Sequence, residues 1–170
     1  MAAFVLALLI GGSWNTSAAE AGVEVRIVDL GGYCVRVQSA ALDARAPGTP
    51  LVIFESGVAQ SSDAWRSILS RAGRFAPALS YDRAGLGQSE WDGTDPTVEH
   101  MNFRLRRLLD QLGAEPPYIL VGHSLGGMLV HQFAARWPSE VSGLVLVDPA
   151  PLLTEARSFR RGGDHSPELR

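Results

Sequence analysis

A chain of 170 residues is enough for one compact domain and short for two. Its 46% hydrophobic and 19% charged residues exclude a disordered chain, and a net charge of -3 offers no basic face for tracking nucleic-acid phosphates. All 15 basic residues are arginine, which excludes a P-loop lysine, a Schiff-base lysine and a Ser-Lys dyad. The single cysteine, Cys34, excludes an internal disulfide and a Cys-rich zinc site. Chemistry by hydroxyl, histidine and carboxylate remains.

Residues 1–10 (M-A-A-F-V-L-A-L-L-I) are an apolar run, followed by Gly11, Gly12 and small or polar residues as far as Gly22. About nine apolar residues fall short of the roughly 20 that span a bilayer, but they match the h-region of a signal peptide. Small residues suited to cleavage follow at Ser17-Ala18-Ala19 or Ala19-Glu20-Ala21, although no Arg or Lys precedes the run. Residues 1–22 are therefore expected to be a leader that exports the chain; without that role the protein would be cytoplasmic. No stable membrane span is expected.

Residues 23–29 and 33–38 alternate apolar and polar side chains around Gly31-Gly32, which predicts a β-hairpin. A Pro/Gly/Ala-rich loop over 44–50 leads into residues 51–54, an unalternating apolar run that suits a strand covered on both faces. Trp65, Ile68 and Leu69 then recur at helical spacing behind a Ser61-Ser62-Asp63 capping cluster. Residues 76–81 predict another strand. Residues 97–112 predict an amphipathic helix with Met101, Leu105, Leu108, Leu109 and Leu112 as its apolar stripe, ended by Gly113. A strand over 118–121, a helix over 125–136 stopped before Pro138, and a strand over 143–147 complete the pattern. Repeated strand–helix units imply an α/β fold, a mostly parallel sheet with helices on both faces. Ligands bind such sheets at the carboxyl ends of the strands.

Residues 122–127 (G-H-S-L-G-G) follow an apolar strand and open a helix, the setting that a G-x-S-x-G nucleophile elbow requires. A serine on so tight a turn leaves no room for bulk two residues to either side, so Gly122 and Gly126 relieve the crowding. The turn lifts Ser124 clear of the sheet, and the helix start beneath it supplies positive partial charge and the Leu125 N–H. Without that setting, the serine would read as a helix cap on a glycine-rich turn.

Three further segments carry a resemblance to the α/β-hydrolases, in their serine esterase and lipase-like form. Residues 55–65 (E-S-G-V-A-Q-S-S-D-A-W) resemble the oxyanion loop after the third strand, with E-S-G in place of the commoner H-G. Residues 81–89 (Y-D-R-A-G-L-G-Q-S) resemble the Y-D-R-x-G-x-G-x-S loop after the fourth strand, and residues 144–148 (L-V-L-V-D) resemble the sixth. The resemblance covers about residues 23–151, in family order. It implies Ser124 as nucleophile and the backbone N–H groups of Val58 and Leu125 as an oxyanion hole, worth about 3–4 kcal/mol per donor in other hydrolases. Gly57 is expected to let the backbone approach substrate, while Asp82 and Arg83 are expected to fix their loop. A dinucleotide reading of Gly85-x-Gly87 fails because position 90 is Glu. No metal or organic cofactor is implied, and the partner is a small acyl substrate.

A serine needs a base, and the base needs a carboxylate; in this family the order is Ser, acid, His. The strands that usually carry acid and histidine follow the sixth, and the chain reads as truncated there, with a polar tail over 152–170. Asp148 closes the sixth strand, a place some family members use for the acid, but Asp-Pro also starts turns, and a turn-capping role is preferred. His165, beside Asp164, has the right chain order and lies in the polar tail, where an exposed tail histidine is the preferred reading. His123 is expected to point away from Ser124 and pack. His131 lies about 10 Å down the following helix at 1.5 Å per residue, and His100 is on an earlier one. The sixth strand is expected to be an exposed apolar edge that favours self-association. The leading expectation is a serine hydrolase acting on esters or related acyl bonds; the alternative is a non-catalytic module that binds a ligand or partner in the same cleft.

Overall fold

The computed structural model describes residues 22–151. The expected leader up to residue 21 and the tail with His165 lie outside the described residues. Six strands form one sheet: β1 (Glu24–Asp29), β2 (Cys34–Ala40), β3 (Leu51–Glu55), β4 (Ala78–Tyr81), β5 (Tyr118–His123) and β6 (Val141–Val147). Their spatial order is β1-β2-β4-β3-β5-β6. The hairpin β1–β2 is antiparallel, with Asp29 opposite Cys34, and β2 also runs antiparallel to β4. From β4 across β3 and β5 to β6 the sheet is parallel.

Three α-helices connect the parallel strands: α1 (Arg66–Ala72), α2 (Val98–Gln111) and α3 (Leu125–Arg136). Alternation along each strand sorts its side chains between two layers. Leu51, Ile53, Leu79, Tyr118 and Leu120 meet Leu105, Leu108 and Leu109 of α2 and Val130 and Phe133 of α3 on one face. On the other, Phe54 and Ala78 meet Trp65 and Leu69 beside α1. Helix α2 begins where its sequence predicts, because the Thr97 side chain accepts the N–H of His100.

Two local expectations fail around α1. Ser61 makes no side-chain cap; a 3-10 turn over Ser62–Trp65 precedes the helix instead. Ser62 is buried and turns to Asp82, and Ile68 is 45% exposed rather than part of the apolar stripe. The cause is polar packing on β2, whose Arg36 and Gln38 are buried and grip this turn. Arg36 pairs with Asp63 at 3.0 Å, and Gln38 Nε2 donates to Ser62 Oγ and Asp63 Oδ1, both at 2.8 Å. That guanidinium holds the Asp63 carboxyl below its ordinary pKa.

Candidate active site

The last residue of β5, His123, leads straight into Ser124, which holds φ 52° and ψ -119° before α3 begins at Leu125. Left-handed φ at a residue with a side chain costs about 1–3 kcal/mol and persists only where its surroundings enforce it. Here they do so through backbone. A Cβ on Gly122 would lie 2.4 Å from the Gly126 carbonyl oxygen, and one on Gly126 would lie 2.3 Å from the Glu55 carbonyl oxygen. Ser124 N–H donates to Val147 O at 3.1 Å, and its carbonyl accepts the N–H groups of Gly127 at 3.0 Å and Ala150 at 2.9 Å. The turn after β6 thus clasps the elbow, and Pro149 packs where a Cβ on Gly127 would be.

Register places the start of segment 55–65 beside the elbow: Glu55 at the end of β3 pairs with Gly122 of β5. Gly57 N–H donates to Gln60 Oε1 at 3.0 Å, closing a turn on which Val58 is exposed. Among the described residues neither Val58 N–H nor Leu125 N–H has an acceptor, as the first amide of a helix must lack one within its own helix. Gly57 itself packs closely against two side chains of the site. Its Cβ would stand 2.7 Å from Gln60 Oε1 and 3.1 Å from His123 Nδ1. His123 is half-buried and packs against this loop, its Nδ1 3.3 Å from Gln60 Oε1.

Beneath the loop lies a buried polar cluster. Arg83 donates through Nη1 to Glu55 Oε1 at 2.5 Å and Ser56 O at 2.6 Å, and through Nη2 to Gly57 O at 2.5 Å. Tyr81 O–H donates to the other Glu55 oxygen. Burial first, and the Glu55 charge second, push the Tyr81 phenol well above its ordinary pKa, so it remains a donor. Asp82 behaves as its motif predicts, since its carboxylate accepts Ser62 N–H and Oγ at 2.6 Å and Gln88 N–H at 2.9 Å. Gly87, at φ 55°, is the partner of that arrangement, because a Cβ there would lie 2.1 Å from Asp82 Oδ2. Arg83 departs from the expectation: it fixes the neighbouring loop rather than its own.

Ser124 Oγ has no hydrogen-bond partner among the described residues. Asp148 is exposed at φ 43°, with no side-chain partner among them, so the turn-capping bond expected of it is not formed there. His100 is exposed on α2 with Nδ1 3.1 Å from Asp95 O, and His131 is half-buried in α3. The described residues contain no cluster of metal-ligating side chains and no helix long and apolar enough to cross a membrane.

A family model for the alpha/beta hydrolase fold matches residues 50–166. The chain belongs to the α/β-hydrolase family. Among curated relatives of this α/β-hydrolase chain, the esterase Rv0045c of Mycobacterium tuberculosis is 33% identical over 138 residues, covering 79% of this chain and 44% of the relative. The lipase LipV of the same organism is 33% identical over 110 residues, covering 65% and 41%. The chain spans less than half the length of the curated relatives it matches. Among solved structures, lip1 from Acinetobacter baumannii AYE superposes with a TM-score of 0.70 at 21% identity, covering 87% of this chain and 52% of that one. At that identity the likeness establishes the fold alone.

Proposed function

We propose that this α/β-hydrolase chain carries the nucleophile and oxyanion site of a serine hydrolase that cleaves esters or related acyl bonds. The observation that carries the reading is the left-handed Ser124 between β5 and α3, with the unpartnered amide of Leu125 next to it in the chain and that of Val58 on the loop packed against His123. Once a base removes its proton, Ser124 Oγ attacks the acyl carbon. The carbonyl oxygen becomes an anion between the two N–H groups, whose dipoles need no reorganisation as charge develops. Collapse expels the leaving group, protonated by the same base, and water then releases the acyl group from Ser124 by the reverse chemistry. Asp148 and His165 are the candidate acid and base. The esterase and lipase names among the relatives support an acyl substrate.

The test is turnover of a p-nitrophenyl acyl ester by wild type and Ser124→Ala. An acyl-serine mechanism predicts that the variant loses at least about 10³-fold in kcat at unchanged melting temperature. Equal rates would refute it and favour the ligand-binding alternative. We further propose self-association through β6, whose Leu144, Val145, Leu146 and Val147 are all exposed at the end of the sheet.

A further inference from the structure

We infer that Arg83 is a positioning residue for the oxyanion site: it aims the Val58 N–H by holding the carbonyls of Ser56 and Gly57 on the opposite side of the loop. The inference rests on the acyl-serine reading and adds a residue to it. A peptide unit is planar and trans, so its C=O and N–H point in opposite directions. The Gly57 carbonyl is drawn 2.5 Å from Arg83 Nη2 on the buried side, which turns the Val58 N–H of the same unit to the open side. The Ser56 carbonyl, 2.6 Å from Nη1, fixes the preceding unit in the same sense. Two successive carbonyls are thereby withdrawn from the space above Ser124, where a lone pair would repel a developing anion.

The guanidinium is itself held. Its side chain is 6% exposed and that of Glu55 is 1% exposed, so neither swings into solvent. Tyr81 O–H takes the second carboxylate oxygen, leaving Glu55 one orientation toward Arg83. Only a planar fork of donors reaches a carboxylate and two carbonyls together; an ammonium has no such geometry. Glu55 also ties this cluster to the second donor, because its own carbonyl oxygen lies against Gly126 at the start of α3. The amides of Val58 and Leu125 are therefore referenced to one residue.

The test uses the 170-residue chain, labelled with ¹³C and ¹⁵N, and a fluorophosphonate probe. Variants are Arg83→Met, Arg83→Lys, and the pair Glu55→Gln with Arg83→Met, which leaves no unpaired buried charge if the single variant fails to fold. Leu109→Ala is the control for lost stability alone. The assignment predicts that the inactivation constant for Ser124 falls about tenfold or more in Arg83→Met, because an ångström of misplacement costs up to about a hundredfold. Arg83→Lys falls between Met and wild type. The probe's apparent binding constant stays within about twofold, and Leu109→Ala reacts at the wild-type rate. The Gly57 carbonyl and Val58 amide resonances shift in the Met variants. A folded Arg83→Met or paired variant with wild-type reactivity overturns the assignment, as does a control that loses as much. A wild-type chain that takes no label sinks the acyl-serine reading for this chain instead; unmoved Gly57 and Val58 resonances would then sink the Arg83 assignment separately.

Discussion

Strands β3 and β6 are both predominantly apolar and end in opposite surroundings. Leu51–Glu55 reads L-V-I-F-E and is almost wholly buried, whereas Val141–Val147 reads V-S-G-L-V-L-V and leaves its last four side chains exposed. The difference lies in the neighbours. Strand β3 is flanked by β4 and β5, with α1 and the α2–α3 layer on its two faces. Strand β6 has β5 on one side only, and among the described residues the helix packed against it is chiefly α3. An apolar strand is thus a demand for cover, and position in the sheet decides whether the demand is met. The candidate site stands on the satisfied side, where β3, β4 and β5 end together, and leans on β6 through the clasp of Ser124 by Val147 and Ala150.

The largest expected effect contrasts the two strands directly. Ile53→Ala, at a fully buried position of β3, is expected to cost about 2–5 kcal/mol, and Leu146→Ala on β6 less than about 1 kcal/mol, by urea unfolding. Equal costs would mean that β6 is covered in solution. Next is Gly126→Ala, whose Cβ would meet the Glu55 carbonyl. It is expected to lose about 3 kcal/mol and to pull α3 away from β3, read as a lower melting temperature and lost Ser124 reactivity.

A smaller effect tests the covered side of β5. Tyr118 donates its O–H to Ala114 O at 2.6 Å, and burial pushes its phenol up to about 12. A phenol whose pKa is higher folded than unfolded binds its proton more tightly in the native state. Its contribution is therefore complete below about pH 10 and is lost as pH climbs from about 10 to about 12. Tyr118→Phe is expected to flatten the alkaline loss of stability in that window while removing about 1 kcal/mol at neutral pH. Burial raises Tyr33 and Tyr81 as well, so part of the slope remains. Smallest in stability is Val145→Lys on β6, within about 0.5 kcal/mol, with its readout in association: a lower weight-average mass by sedimentation at high concentration. A mass independent of that charge would remove β6 as the contact.

Local chemistry was legible and distant pairing was not. The hairpin, the elbow and α2 are written in contiguous residues: alternation around Gly31-Gly32, glycines two positions either side of Ser124, a periodic apolar stripe ended by Gly113. The sequence points Arg83 to its own loop because its partners, Glu55 to Gly57, are far away in sequence and meet it only once β3 and β4 lie side by side. The signal was an acidic residue ending an apolar strand, with Tyr81 and Arg83 ending and following the next. Ser61 and Ile68 misled for a related reason, since the buried Arg36 and Gln38 of a distant strand decide how that turn sits. An acid and a base have no comparable local signature, because they reach a serine across the fold rather than along the chain. Asp148 and His165 therefore rest on order and resemblance alone.

The most direct test of the central claim is intact-mass analysis of the purified chain after fluorophosphonate treatment, with Ser124→Ala alongside. An activated nucleophile at the elbow predicts one adduct per chain, mapped to Ser124 and absent from the variant. A folded chain that stays unmodified, or an adduct that survives in Ser124→Ala, would contradict the account.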